Sequence, residues 1–175
     1  MKILKSILAC SVLLASVLLI TNCEVDETQT VTNFDNLIMA DEFDVDGAPD
    51  PSLWTYDIGD GTAQGIPGWG NNELQYYTDR PENVRVENGL LVITAREEPF
   101  EGRSYTSARL TTQNLFEQQY GRFEARIRMP LGQGLWPAFW LLGNDCDINP
   151  WPQCGEIDVM EYLGDAPTIV FGSAH

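Results

Sequence analysis

The chain has 175 residues, enough for one domain with a sizeable core, and carries 26 acidic residues against 10 basic ones for a formal charge of −16. So negative a surface repels polyanions, which argues against nucleic acid and anionic membrane as partners, argues less strongly against sulfated polysaccharides, and favours a neutral ligand. Acidity for solubility alone is common in exported proteins, so the charge excludes partners without naming one.

The first 22 residues read as an export signal. Met1-Lys2-Ile3-Leu4-Lys5 is a cationic start, and Ile7 to Ile20 is an apolar run of signal length, short for a membrane span. Cys23 follows and opens residues 23–33, read as a polar, acidic tether. This pattern resembles a bacterial lipoprotein signal with Cys23 as the lipidated residue, giving an outer-membrane or cell-surface protein that meets the membrane only through its lipid. Ile20-Thr21-Asn22 departs from the small residues usual before that cysteine, and an ordinary secretory cleavage with a secreted or periplasmic product is the alternative. Removal of residues 1–22 takes Lys2 and Lys5 and leaves 8 basic against 26 acidic residues, a formal charge of −18.

From residue 34 onward no long stretch has helical periodicity, and short alternating runs separated by Gly, Pro, Asn and Asp predict an all-β domain of two packed antiparallel sheets, a sandwich or jelly roll. Residues 57–80, rich in Gly and Asn, read as a long surface loop. Val84-Arg85-Val86 and Leu90 to Thr94 flank Asn88-Gly89, a hairpin signal because both turn residues tolerate positive φ. Tyr120 to Met129 reads as a half-buried strand: Phe123, Ala125, Ile127 and Met129 alternate with Arg122, Glu124, Arg126 and Arg128. Those arginines are expected to pair with carboxylates of neighbouring strands or to face solvent. Further strands are predicted at 105–112, 137–142, 155–163 and 168–174. Cys146 and Cys154 bracket a proline-rich loop, and in an exported protein a disulfide is expected there in preference to a metal site, two free thiols being the alternative.

Gly155-Glu156-Ile157-Asp158-Val159-Met160-Glu161 carries the chemistry. Carboxylates are poor strand formers, so three in six residues need a reason. Strict alternation would put Glu156 and Asp158 on one face and Glu161 on the other; one bulge near Val159-Met160 would return Glu161 to the common face. Glu156 and Glu161 would then lie roughly 13 Å apart at Cα. Side chains leaning together could leave roughly 5 Å between the carboxyl groups, the spacing of a retaining rather than an inverting glycosidase. Asp158 between them crowds negative charge and should raise at least one proton affinity. A solvated acidic edge strand would supply the same residues, but Ile157, Val159, Met160, Tyr162 and Leu163 make this strand too apolar for one.

The chain resembles the retaining β-glucanases of glycoside hydrolase family 16, in particular bacterial laminarinase-like members. The resemblance runs from Asp41-Glu42-Phe43-Asp44 to His175 and rests on Trp54-Thr55-Tyr56, Trp69-Gly70-Asn71-Asn72-Glu73-Leu74-Gln75-Tyr76-Tyr77, Ser107-Ala108-Arg109-Leu110, Tyr120-Gly121-Arg122-Phe123-Glu124, Trp136-Pro137-Ala138-Phe139-Trp140 and the acidic motif. It implies Glu156 as nucleophile, Glu161 as general acid and then base, and Asp158 as the group that bonds the nucleophile and tunes the pair. It further implies Trp136 and Trp140 as sugar platforms, and Asn71 and Arg109 as donors to sugar hydroxyls. His175 matches a histidine near the acid/base residue of relatives. No cofactor is implied for the chemistry; a structural calcium remote from the carboxylates is, with Glu42 and the backbone near Gly89 as candidate ligands. The implied activity is endo-hydrolysis of β-1,3-glucan or mixed-linkage β-1,3-1,4-glucan by a monomer. The alternatives are a non-catalytic, lectin-like glucan binder and a relative acting on agar or carrageenan. A pure binder has no use for the acidic triplet, and the Trp136 to Trp140 segment, the Asn71 loop and the negative charge stand against the sulfated and agar substrates.

Residues 34–175 are accordingly expected to be the N-terminal part of a family 16 catalytic domain, since Phe171-Gly172-Ser173-Ala174-His175 reads as the interior of a strand. Expressed alone, the 175-residue chain is expected to be poorly soluble or inactive, because interior strand edges would lie open. A soluble product of that length that unfolds cooperatively and cleaves glucan would refute this.

Overall fold

The computed structural model describes residues 34–175; the segment read as an export signal, the expected lipidation site Cys23 and the tether lie outside the described residues. Residues 36–175 form one compact unit. Its described residues hold ten β-strands, two short 3-10 turns and no α-helix. The strands are β1 Thr55–Asp57, β2 Gln75–Tyr77, β3 Val84–Val86, β4 Leu91–Ile93, β5 Arg96–Phe100, β6 Arg103–Ser107, β7 Arg109–Thr111, β8 Ala138–Leu142, β9 Glu156–Glu161 and β10 Phe171–Ala174. They pair as β1-β7, β10-β9-β8, β2-β6-β5 and β3-β4, sheets that are not closed among the described residues. All pairings are antiparallel except β2 with β6, which is parallel.

The β3-β4 hairpin forms where Asn88-Gly89 predicts it. Asn88 and Gly89 take φ of 54° and 74°, and Glu87 and Leu90 exchange backbone hydrogen bonds across the two-residue turn. The same device, Glu101-Gly102, joins β5 to β6. Strand β5 is not foreseen from sequence because Arg96-Glu97-Glu98-Pro99-Phe100 has neither β-propensity nor alternation. It survives as the edge of its sheet, where a proline costs no ladder bond, and Glu98 is held by an ion pair to Arg80 and by the Thr106 hydroxyl at 2.5 Å.

Two expectations need correction. Residues 57–80 are not a loop throughout: they contain β2 and the turns Thr62–Gln64 and Pro67–Gly70. Tyr120 to Met129 is not a strand. It has no ladder partner among the described residues, and alternation alone does not make one, because a strand exists only through its inter-strand hydrogen bonds. Phe123, Glu124, Ala125, Ile127 and Met129 nevertheless line an open, mainly apolar cleft of about 310 Å³ with Phe139, Val159 and Met160, in which only Phe123 and Met129 of the segment are half-buried; Arg126 and Arg128 are exposed and Arg122 pairs with Glu124 on its own segment.

Away from that cleft the most buried group is polar. Asn83 is 0% exposed and fully bonded: its Oδ1 accepts from the Thr78 hydroxyl at 2.6 Å and from Arg80 at 3.0 Å, and its Nδ2 donates to the Thr94 carbonyl and to Thr106. It ties the start of β3 to β6 and to the chain after β4. Removing it strands several buried partners, so Asn83→Ala is expected to lower the unfolding free energy of the full-length protein by about 2–3 kcal/mol. A urea melt with an unchanged midpoint would show the network to be dispensable.

Candidate active site

Strand β9 sits between β8 and β10. Against β8, Leu141 and Leu142 face Ile157 and Glu156, Trp140 faces Asp158, and then Phe139 faces Met160, so that Val159 is the extra residue of a bulge. The β10 ladder shifts by one over the same stretch: Ser173 faces Asp158 but Phe171 faces Glu161. Directly opposed residues share a face. Glu156, Asp158 and Glu161 therefore stand on one face with Leu142, Trp140 and Ala138, while Ile157 and Met160 point to the other. The acids are graded in burial: Asp158 is only 6% exposed, and its neighbours are half-buried.

Each acid has its own aromatic or imidazole companion. The Trp136 indole N–H donates to Glu161 Oε1 at 2.9 Å. His175 Nε2 lies 3.1 Å from Asp158 Oδ2. The backbone of His175 exchanges hydrogen bonds with that of Glu156, continuing the β9-β10 ladder, and the His175 ring lies 6.0 Å from the Trp151 ring. Burial first and the charge of Asp158 second push the Glu156 carboxyl above the usual range, with Trp151 and His175 pulling it back. Crowding thus raises the proton affinity of the expected nucleophile.

Arg109, in β7, faces Asp57 of β1 and pairs with it through Nε at 2.9 Å. Its guanidinium lies 4.7 Å from the Trp69 ring and 4.6 Å from the Trp140 ring, a cation between two indoles. Trp69 is 8% exposed and reaches this position through a turn in which Gly68 and Trp69 both have positive φ. A side chain at Gly61 would collide with the Ile66 carbonyl and the Trp69 amide, so the turn requires glycine there. Asn71 ends the same turn and donates to Glu73 at 3.2 Å; Glu73 also accepts from Gln75 and, at 2.9 Å, from the Tyr77 hydroxyl. Burial, then the Glu73 charge, push the Tyr77 phenol up.

The resemblance assigns no role to Trp69, Glu73, Tyr77, Asp57 or Trp151. The first three stand inside a quoted motif; Trp151 stands in the Cys146–Cys154 loop, five residues before Glu156, and periodicity cannot mark such a residue. Cys146 and Cys154 are joined as a disulfide, Cα atoms 5.0 Å apart. Among the described residues no three His, Cys, Asp or Glu side chains are grouped to hold a metal. Glu42 is exposed and Gly89 occupies the β3-β4 turn, where they could supply two of the six to eight oxygens that calcium takes.

Residues 71–175 match glycosyl hydrolases family 16. The chain belongs to that family. It is 51% identical over 142 residues to the β-glucanase of Rhodothermus marinus, a match covering 79% of this chain and 48% of that protein. The laminarinase catalytic domain of Thermotoga maritima superposes with a TM-score of 0.74 at 53% identity, covering 80% of this chain and 56% of that one. The endo-β-1,3-glucanase of Pyrococcus furiosus superposes with a TM-score of 0.70 at 46% identity, covering 79% and 54%. This chain therefore spans about half the length of the relatives it matches. These structures carry the jelly-roll fold to which the open sheets of this chain correspond.

The raised proton affinity of Glu156 makes a prediction independent of activity. A carboxyl that holds its proton more tightly when folded stabilises the fold most below the ordinary glutamate range, and that contribution is lost as pH rises through the folded value. The permanently neutral Glu156→Gln is expected to melt at a higher temperature than wild type at pH 7, the difference closing by about pH 4. Melting curves of the full-length pair across that range check it; a constant difference would contradict the assignment.

Proposed function

We propose that the full-length protein is a retaining endo-hydrolase of β-1,3-glucan or mixed-linkage β-1,3-1,4-glucan. One observation carries the reading: the bulge at Val159 brings all three acids of β9 onto one face. Membership of family 16, and the glucanase and laminarinase names of the relatives, support it. Glu156 attacks the anomeric carbon as its bond to the leaving oxygen breaks, and Glu161 gives that oxygen a proton. Water then displaces Glu156 from the anomeric carbon, losing its proton to Glu161. Asp158, buried between them and touching His175, holds the row in place and adds the charge that raises Glu156. The indoles of Trp136 and Trp140 offer flat apolar surfaces to pyranose C–H faces, and Asn71 and Arg109 are the proposed donors to sugar hydroxyls. Arg109 reaches sugar only with what its bonds to Asp57 and two indoles leave free.

Family chemistry needs no cofactor. A structural calcium is supported by the resemblance alone, with Glu42 and the Gly89 backbone as its candidates. Export, and a lipid on Cys23, are supported by the cationic start, the apolar run and the acidic stretch that follows the cysteine. The protein is proposed to act as a monomer on a neutral polysaccharide.

A reducing-sugar assay of the full-length protein is expected to show release from laminarin or lichenan and none from agarose or carrageenan. Glu156→Gln is expected to abolish release while glucan affinity stays within a few-fold of wild type, since the change removes the nucleophile and leaves the platforms. Tight glucan binding with no release by the wild type would favour the lectin-like alternative.

A further inference from the structure

The loop between β8 and β9 stands directly beside the acid row and has no role in the assignments above. Its base is tightly built. The Gly143 amide donates to the Gly155 carbonyl at 3.0 Å, and a Cβ on Gly143 would lie 2.0 Å from the Cys154 carbonyl oxygen, so the two ends of the loop touch without a side chain between them. The disulfide then closes residues 146–154, and Cys154 is followed immediately by Gly155-Glu156. Within the loop Asn149 bonds Asp145 at 2.5 Å, and the Gln153 and Gly155 amides reach back to the Pro150 and Pro152 carbonyls. Trp151 is the one aromatic residue the loop carries. It is 56% exposed, so burial does not hold it; the loop does. Its ring lies against that of His175, whose Nε2 meets Asp158 and whose backbone is bonded to Glu156.

We propose that Trp151, clamped by the Cys146–Cys154 disulfide, is a positioning residue for the hydrolytic site: it holds the His175 ring against Asp158 and thereby fixes the nucleophile end of the acid row. This rests on the hydrolytic reading of Glu156, Asp158 and Glu161. The mechanical argument is one of short connections. A covalent ring closes one residue before Gly155, and the indole it presents is the contact between that ring and β10. Loss of the clamp frees the indole, the imidazole loses the tilted ring beside it, and the Asp158 carboxylate loses a fixed companion. The electrostatics agree in sign, since Trp151 and His175 both oppose the rise that burial and Asp158 impose on Glu156. The groups facing Glu156 are Asp158 and Glu161 on β9, His175 just after β10, and apolar Leu142 and Trp140 on β8; Arg109 lies against Trp140 and is paired with Asp57, and the loop's Asp145 is engaged by Asn149.

The test uses the full-length protein in four forms: oxidised wild type, wild type reduced with dithiothreitol, Trp151→Phe and Trp151→Ala. Trp151→Ala is expected to lower kcat by roughly 10- to 100-fold on laminarin, as small misplacements of reacting groups do, with little change in KM. The acidic limb of its pH profile should move to higher pH, because Glu156 then keeps its proton longer. Trp151→Phe keeps a ring but not the N–H and should show the same displacement with a smaller loss. Reduction should move both quantities the same way. A residue that served folding alone would lower the active fraction without moving the limb. Wild-type kcat and limb in Trp151→Ala overturn the proposal, and so does an effect confined to KM, which would make the indole a sugar platform instead. If the wild type cleaves no glucan, the hydrolytic reading fails, and the His175 ring proton resonances decide this proposal separately. They are expected to shift in Trp151→Ala and on reduction; resonances unchanged in both overturn it.

Discussion

A single inserted residue in the ladder around Val159 governs which side chains of β9 share a face. Without it Glu161 would stand on the Ile157 and Val159 side, away from Glu156 and Asp158 and toward the apolar cleft that Val159 lines, where a carboxylate would be costly. With it, the sheet presents three acids in line on one surface and a hydrophobic set on the other. Both neighbouring strands follow the same one-residue shift, so the bulge belongs to the whole three-stranded sheet.

Around that row the protein uses aromatic rings more than ion pairs as its supports. Trp136 bonds Glu161, Trp151 touches His175, and Trp140 stands opposite Asp158 with Arg109 stacked on it. An indole N–H beside a carboxylate gives direction without adding a charge, which matters in a chain whose acids outnumber its bases. Arg109 is shared between Asp57 and two indoles and so links the β1-β7 pair and the Trp69 turn to the sheet that carries the acids. The packing that presents Trp140 is thus coupled to a buried tryptophan in a glycine-dependent turn.

Burial and charge act together on the acids. Asp158 is the most enclosed of the three and sits between the other two; the burial of Glu156 first, and the Asp158 charge second, raise the proton affinity of Glu156. Trp151, and then His175 just beyond β10, act in the opposite sense. The same economy appears away from the site, where Asn83, Thr78 and Thr106 satisfy one another and Glu98 is held by Arg80 and Thr106.

The all-β class, the Asn88-Gly89 hairpin, the strands at β8, β9 and β10 and the need for a bulge at Val159 follow from residue order, because alternation, turn chemistry and three carboxylates in one strand are local signals. The amino-acid order also suffices for family membership, through motifs dense enough to be read without coordinates. What it could not decide was pairing. Tyr120 to Met129 alternates perfectly and has no ladder partner among the described residues, while the charged, proline-bearing β5 and the short β2 are strands because β6 lies beside them. The companions of the acids are likewise tertiary: Trp136 to Glu161 and His175 to Asp158 are contacts made between segments 25 and 17 residues apart, where sequence distance carries no information about proximity.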